Sequence, residues 1–148
     1  MKENLDLIKV LLVDDDPEDI DLTMEVMEMT KIKVEVEVAS DGIEAMDYLN
    51  KVADNGSIRL PDLILLDLNM PRMNGHEVLE NLKADDRFKQ IPVVILTTSK
   101  SENDIFKSYY NGVSCFISKP VGLSQFQEVV EAINSFWFTI VRLPKKEQ

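Results

Sequence analysis

The sequence predicts a doubly wound α/β domain, in which helices cover both faces of a five-stranded parallel sheet. Four short runs of Val, Ile and Leu do not alternate with polar residues, which is typical of strands buried on both faces. Stretches with helical spacing separate these runs, and right-handed crossovers between parallel strands place such helices on both faces of one sheet. The runs are Ile8 to Val13, Leu63 to Leu66, Val93 to Leu96 and Val113 to Ile117.

A fifth run, Lys33 to Val38, alternates between valines and charged residues. Such alternation predicts a half-exposed strand at an edge of the sheet. With the second strand at an edge, the strand order 2-1-3-4-5 is favoured, and the direction of winding reverses between strands one and three. Ligands of such sheets bind outside the carboxyl ends of the strands at that switch point, so the sequence predicts a site there.

Capping residues mark the starts of the helices. Asp16 is followed by Pro17, which gives an N-cap and a proline at the first helical position, and this role explains Asp16 better than metal binding does. Asn111-Gly112 ends the fourth helix, the fifth begins near Leu123, and Lys51 to Pro61 is predicted as a longer loop. Three pairs have the spacing of a capping box, in full or approximate form: Asp41 with Glu44, Asn74 with Glu77, and Ser101 with Asp104.

Length and composition predict a single domain over residues 1–148, with a core from about residue 8 to residue 136 and an extended last helix and tail. The 148 residues suffice for an ordinary core, and 45% hydrophobic residues argue against disorder. With 27 acidic against 16 basic residues the formal charge is −11, which disfavours sequence-independent binding to nucleic acid. The single cysteine, Cys115, excludes an intrachain disulfide. No apolar run approaches a membrane span and no signal-peptide pattern is found, so we expect a cytoplasmic protein without nucleic acid or membrane partners.

Acidic residues follow two of the predicted strands where their carboxyl ends meet. Asp14 and Asp15 follow the first strand, and Asp67 follows the third. Like charges about 4 Å apart repel by roughly 4 kcal/mol at an effective dielectric constant of about 20, so the three carboxylates need a proton or a cation among them. Oxygen ligands without a neighbouring His or Cys favour a hard divalent ion, Mg²⁺ or Mn²⁺. The sequence therefore predicts a metal site, and the alternative for Asp14 and Asp15 is a solvated acidic turn.

The same strand ends carry residues suited to phosphoryl chemistry. A carboxylate such as Asp67 can attack phosphorus and form an aspartyl phosphate. An ammonium group and a hydroxyl group are among those that balance the charge of a transferred phosphoryl group, and Lys119 and Thr97 supply them from neighbouring strand ends. Taken singly, Lys119 could be a surface lysine and Thr97 an ordinary strand residue, so only the shared constellation favours the chemical interpretation.

These motifs resemble the receiver domain of bacterial two-component response regulators, which has the CheY-like, flavodoxin-like fold. The resemblance extends from about Lys9 to Phe136, and the motifs occur in the family's order and at its spacing. The matching elements are Leu12-Val13-Asp14-Asp15-Asp16, Leu65-Leu66-Asp67-Leu68-Asn69-Met70-Pro71 with Asn74-Gly75, Leu96-Thr97-Thr98 and Ser118-Lys119-Pro120.

The resemblance implies a role for each matching residue. Asp67 resembles the phosphoacceptor, which takes a phosphoryl group from a sensor histidine kinase. In the Mg²⁺ site, Asp15 and Asp67 resemble direct ligands, Asp14 a ligand through water, and Asn69 a ligand through its backbone carbonyl. The phosphate-pairing lysine, the switch threonine and the aromatic switch residue correspond to Lys119, Thr97 and Phe116.

Some positions depart from the family pattern, and others indicate a subgroup within the family. Thr98 stands where many receivers carry a small residue, so access of water or of a phosphodonor to Asp67 is expected to be reduced. We expect no output domain after the motifs, which resembles the single-domain class. The segments Leu96 to Ser99 and Phe136 to Val141 resemble those of regulators paired with bacterial phytochrome-type histidine kinases. This resemblance implies a kinase of that type as partner. His76 lies outside the matching motifs, and we expect no chemical role for it.

The end of the last helix is more apolar than one helix face requires. Phe138 and Val141 are expected to point away from the main apolar stripe. We interpret the block as a partner surface, an isologous homodimer through the predicted fourth and fifth helices, and the alternative is a helix end packed over its own domain. The block consists of Phe136, Trp137, Phe138, Ile140 and Val141.

The sequence thus predicts a phosphorylation-dependent signalling switch that catalyses only its own phosphorylation and dephosphorylation. Phosphorylation of Asp67 is expected to draw Thr97 and Lys119 inward and to shift the fourth helix, fifth strand and fifth helix between two states. Two alternatives stay open, namely an adaptor that works without phosphorylation and a metal-dependent phosphohydrolase. The phosphohydrolase reading lacks a general acid two residues after Asp67, since Asn69 is an amide.

Overall fold

A computed structural model describes residues 7–30, 33–68, 70, 72–97, 115–118 and 122–136, with the backbone alone at 97, 115–118, 130 and 132–136. The strands are Leu7–Val13 (β1), Lys33–Ala39 (β2), Leu63–Asp67 (β3), Val93–Thr97 (β4) and Cys115–Ser118 (β5). They form one parallel sheet in the order β2-β1-β3-β4-β5, which confirms the predicted strand order.

Four helices lie within the described residues, and the last of them is the predicted fifth helix. They are Pro17–Met29 (α1), Gly42–Asp54 (α2), Gly75–Ala84 (α3) and Leu123–Phe136 (α4). The predicted fourth helix, Ser101 to Asn111, lies outside the described residues, so the count of five helices stays a prediction.

Local capping bonds fix where the helices begin. Asp16 is the N-cap of α1, and its side chain accepts a hydrogen bond from the Glu18 backbone N–H at 2.9 Å, which confirms the structural interpretation of this residue. At the start of α3 the capping box is complete, because Asn74 and Glu77 each accept from the other's backbone N–H at 3.0 Å. Asp41 caps α2 by accepting from the backbone N–H of Glu44 at 2.9 Å.

The predicted loop from Lys51 to Pro61 begins too early. Helix α2 continues to Asp54, and the chain leaves it at Asn55. Val52 explains the extra turn, because its side chain is 3% exposed and belongs to the apolar core. Core burial therefore extends the helix until the turn-forming pair Asn55-Gly56 stops it.

The sheet separates two apolar layers, so helices cover both of its faces. One layer joins alternate strand residues to α2 and α3 and includes Leu11, Ile64, Leu49 and Leu79. The other joins the remaining strand residues to α1 and α4 and includes Val10, Leu65, Met27 and Phe126. Full burial of one such aliphatic side chain stabilises the fold by about 1.5–3 kcal/mol. These layers confirm the doubly wound α/β architecture, and they hold the carboxyl ends of β1 and β3 side by side.

Strand β2 has the pattern expected of an edge strand. Lys33, Glu35 and Glu37 are exposed, whereas the intervening valines are partly buried. In the described part of the chain β2 pairs with β1 alone, which leaves its other edge open and explains the charged residues.

Several predicted features fall beyond the described residues. Of the apolar C-terminal block, Phe136 is the last residue of α4 with its side chain not described, and the others lie outside: Trp137, Phe138, Ile140 and Val141. Within the described ranges, no helix combines the length and the apolar character needed to cross a bilayer.

Candidate functional site

The ends of β1 and β3 form the switch point of the sheet. In the parallel register Val13 pairs with Leu66, so the next residues along each strand, Asp14 and Asp67, come side by side. The connection that follows β1 leads to β2 on one side, whereas the connection that follows β3 leads to β4 on the other side. Divergent connections leave a crevice at this edge of the sheet, where ligands of this fold class bind.

Three carboxylates converge in the crevice, as the sequence predicts. One oxygen from each of Asp14, Asp15 and Asp67 lies within 4.8 Å of the other two. Asp14 and Asp67 are buried, with 0% and 3% exposed, whereas Asp15 is exposed. The crevice therefore concentrates negative charge, with two carboxylates in the protein interior and one at the mouth.

The backbone around β1 orients Asp14. Its own N–H donates to the Ala39 carbonyl at 3.0 Å, which extends the β1–β2 pairing by one residue. Its carboxylate oxygen Oδ1 accepts from the Asp16 backbone N–H at 3.0 Å. Asp14 and Asp15 therefore lie in the crevice, whereas the next residue, Asp16, caps the start of α1.

The remaining predicted site residues are only partly within the described chain. Thr97 is the last residue of β4, and its backbone pairs with Ser118 of β5. Leu96, the residue before Thr97, pairs with Asp67 of β3. The backbone position of Thr97 is thus one strand away from Asp67. Phe116 lies in β5 with its backbone paired to Ile95. The side chains of Thr97 and Phe116, and all of Asn69 and Lys119, lie outside what the structure describes.

A glycine lies directly against the third acidic residue. The Gly75 N–H donates to the Leu68 carbonyl at 3.1 Å, and a Cβ at this position would lie 2.5 Å from the Asp67 carbonyl oxygen and 2.6 Å from Leu68 Cα. Any larger residue would push α3 away from the end of β3. The Asn74-Gly75 pair is visible in the sequence, but this close approach depends on how α3 packs on β3.

Sequence reasoning missed Arg72 altogether. Its backbone φ is 60°, in the left-handed region that residues other than glycine seldom adopt. Its guanidinium binds Asp41, with Nε donating to Oδ2 at 2.9 Å and Nη2 donating to the same oxygen. No local pattern signals this pair, because 31 positions separate the two residues.

The ion pair changes the titration of Asp41. The hydrogen bond from the Glu44 backbone lowers the pKa of this carboxyl below its ordinary value of 3.8, and Arg72 acts in the same direction while burial opposes both. A folded-state pKa below the unfolded value stabilises the fold above the unfolded pKa, and the contribution is lost as the pH falls through the folded pKa.

We therefore expect Asp41→Asn to lower the free energy of unfolding at neutral pH by about 1 kcal/mol, since Asn keeps the cap but loses the charge-assisted bonds. Urea unfolding of both chains over a range of pH checks this. The two stabilities are expected to converge as the pH falls below 3.8. A difference that persists unchanged into acid would show that the Asp41 charge contributes nothing.

Comparison with known proteins identifies the family. The chain matches the response regulator receiver domain over residues 10–131. The chain belongs to the response regulator receiver family. It is 40% identical over 135 residues to response regulator Rcp1 of Synechocystis sp., and the alignment covers 91% of this chain and 92% of Rcp1.

Solved structures of response regulators are similar to most of this chain. The phosphorylated cyanobacterial phytochrome response regulator RcpA has 44% sequence identity and a TM-score of 0.73, over 89% of this chain and 94% of RcpA. The Mn²⁺-bound form of Rcp1 has 39% identity and a TM-score of 0.71, over 90% of this chain and 96% of that chain. The CheY-like receiver fold and the likeness to phytochrome response regulators, both predicted from sequence, are confirmed.

The acidic cluster of this receiver fits a divalent cation. All three described donors are carboxylates, the ligands that hard cations prefer, and their oxygens already lie within reach of one ion. A cation would relieve the repulsion among the three charges, which the protein interior strengthens. A relative of similar fold, Rcp1, has been solved with Mn²⁺ bound.

Proposed function

We propose that this receiver accepts a phosphoryl group on Asp67 from a histidine kinase in a Mg²⁺-dependent reaction, and that the phosphorylated form presents a changed surface to a partner. The observation that carries the proposal is the convergence of Asp14, Asp15 and Asp67 at the switch point of the sheet. Membership of the response regulator receiver family supports the proposal.

The chemistry assigns a different task to each carboxylate. A carboxylate oxygen of Asp67 attacks phosphorus, the bond from phosphorus to the kinase histidine nitrogen breaks, and its electron pair stays on that nitrogen. Asp14 and Asp15, with Asp67 and the backbone carbonyl of Asn69, would hold the cation, with Asp14 acting through water. When bound, the cation supplies positive charge that offsets the phosphoryl oxygens, and Mn²⁺ is an alternative to Mg²⁺.

Two further residues complete the proposed site from neighbouring strands. The Lys119 ammonium pairs with the phosphoryl oxygens, and the Thr97 hydroxyl donates to them. Movement of Thr97 is coupled to the aromatic ring of Phe116 on the adjacent strand. The receiver thereby catalyses only its own phosphorylation and dephosphorylation.

The output is a change in binding. The surface formed by the predicted fourth helix, by β5 and by α4, which is the predicted fifth helix, shifts between two states. Phosphorylation moves the equilibrium between these states only by stabilising one of them more than the other. The apolar block from Phe136 to Val141 favours a second copy of the chain as the partner at this surface. Because RcpA is a phytochrome response regulator, we propose a phytochrome-type kinase as the phosphodonor.

Cation binding is expected to stabilise the fold. At a Mg²⁺ concentration a hundred times the dissociation constant, the free energy of unfolding rises by about 2.7 kcal/mol through mass action. Thermal unfolding with and without MgCl₂ measures the gain. Asp15→Asn is expected to lose most of it, whereas Asp16→Asn, the adjacent exposed residue, should keep it because Asn serves equally well as an N-cap. Equal gains in both variants would contradict the assignment of Asp15.

Intact-protein mass spectrometry with acetyl phosphate tests the proposed function. A phosphoryl adduct that requires Mg²⁺ supports a receiver, and a shift in solution mass on phosphorylation supports the switched homodimer. Failure to form an adduct in a folded, Mg²⁺-binding protein would favour the phosphorylation-independent adaptor. Repeated turnover of small phosphate esters would favour a phosphohydrolase.

A further inference from the structure

We propose that Arg72 is a positioning residue of the metal site, and that its ion pair with Asp41 increases the affinity for the divalent cation. The pair would do so by fastening the connection between β3 and α3 to the start of α2. This inference rests on the proposed function, because Asp67, from which that connection starts, is expected to help hold the cation.

The pair is built so that one carboxylate performs two tasks. Oδ1 of Asp41 accepts the hydrogen bond that caps α2, from the Glu44 backbone at 2.9 Å. Oδ2 accepts both donors of Arg72. The Asp41 side chain is 11% exposed, whereas the Arg72 side chain is 56% exposed. Asp41, at the start of α2, is therefore the fixed partner, and Arg72 reaches it from the connection between β3 and α3.

A second tether lies next to the ion pair. The Gly42 N–H donates to the Met73 carbonyl at 3.2 Å, and a Cβ on Gly42 would collide with that carbonyl. Residues 41 and 42 thus hold residues 72 and 73 through one ion pair and one backbone bond. Helix α2 is a firm anchor because Ala45 and Leu49 are fully buried in the core.

The far end of the connection is also closed. The Gly75 N–H donates to the Leu68 carbonyl at 3.1 Å, directly after Asp67. Gly75 is therefore held against the end of β3, and Arg72 and Met73 are fastened to the start of α2. Asp67, a member of the carboxylate cluster, stands at the start of this connection, so loosening the tether is expected to weaken cation binding through lost preorganisation of that ligand.

The backbone conformation of Arg72 adds an independent argument. A left-handed φ of 60° is unfavourable for an L-residue with a side chain, and such conformations persist where surrounding contacts hold them. Glycine would adopt this conformation without that cost. Arginine at this position therefore carries a conformational cost that glycine would not, and its contact with Asp41 offsets that cost.

Calorimetric titration with MnCl₂ tests the inference on the full chain. We expect Arg72→Ala to weaken Mn²⁺ binding about tenfold, as loss of a group that orients metal ligands commonly does. Asp41→Asn, which keeps the cap, is expected to weaken it similarly, and the double variant no further, because both remove one interaction. Arg72→Lys should recover part of the affinity.

Arg87→Ala is the matched control. Arg87 is also about half exposed, and it pairs with Asp85 in the turn after α3 and with Asn50. Its removal should leave the Mn²⁺ affinity within about twofold of the native chain, since its partners Asp85, Asn50 and Asp54 lie outside the connection from Asp67 to Gly75. Amide hydrogen exchange adds a readout without metal, in which the Gly42 N–H is expected to lose protection in Arg72→Ala and to keep it in Arg87→Ala.

The outcomes distinguish a failure of the positioning role from a failure of the proposed function. Unchanged Mn²⁺ affinity in Arg72→Ala and Asp41→Asn, alongside tight binding by the native chain, would overturn the positioning role and leave the proposed function intact. Absence of Mn²⁺ binding by the folded native chain would overturn both. If Arg72→Ala fails to fold, Asp41→Asn and Arg72→Lys decide the question.

Discussion

Asp67→Asn should abolish the phosphoryl adduct. An amide nitrogen and oxygen replace the carboxylate, so the side chain loses the negative oxygen that attacks phosphorus. The substitution preserves shape in a buried position at the end of β3, where Asp67 is 3% exposed. Intact mass after incubation with acetyl phosphate and Mg²⁺ measures the effect.

Asp54→Asn is the matched control for this substitution. Asp54 is the last residue of α2, at the opposite end of the helix from Asp41, and 81% of its side chain is exposed. It should be phosphorylated as fully as the native chain. An adduct that survives in a folded Asp67→Asn variant would refute Asp67 as the phosphoacceptor.

Gly75→Ala should destabilise the fold by about 3 kcal/mol, the upper part of the range for a residue forced into a packed position. The added Cβ would meet two backbone atoms, the Asp67 carbonyl oxygen at 2.5 Å and Leu68 Cα at 2.6 Å. Backbone at the end of a central strand cannot turn aside as a flexible side chain does. Urea unfolding of both chains without metal gives the difference.

Gly56→Ala tests whether the effect comes from the close approach. A Cβ at Gly56 would have nothing within 4 Å, so the substitution should change the free energy of unfolding by less than about 1 kcal/mol. Similar losses at both positions would mean that glycine flexibility, and not the contact with Asp67 and Leu68, determines the cost.

The parts of the fold that sequence predicts well are those decided by local chemistry. The Asp16-Pro17 start of α1 and the Asn74 capping box depend on residues within three positions of one another, so their interactions survive in any context. The strand order followed from one contrast, the alternation in β2 against unbroken apolar runs elsewhere. Once that order is known, the meeting of Asp14 with Asp67 is a matter of parallel register.

The parts that sequence did not predict depend on tertiary packing. The Asp41–Arg72 pair joins side chains 31 positions apart, and neither has a neighbour that marks it for the other. The sequence predicts the end of α2 too early, because the burial of Val52, which extends the helix to Asp54, depends on packing that no local signal reveals. Gly75 was visible as a glycine, whereas its contact with the Asp67 carbonyl depends on how α3 lies on β3.

The decisive measurement is to locate the phosphoryl group on the native chain. After phosphorylation with Mg²⁺ present, borohydride reduction converts an aspartyl phosphate to homoserine, and peptide mass mapping finds the altered residue. We expect a single change at Asp67, and none when Mg²⁺ is left out. A change at another carboxylate, a phosphoryl group on His76, or no change in a folded chain that binds Mg²⁺ would contradict this expectation.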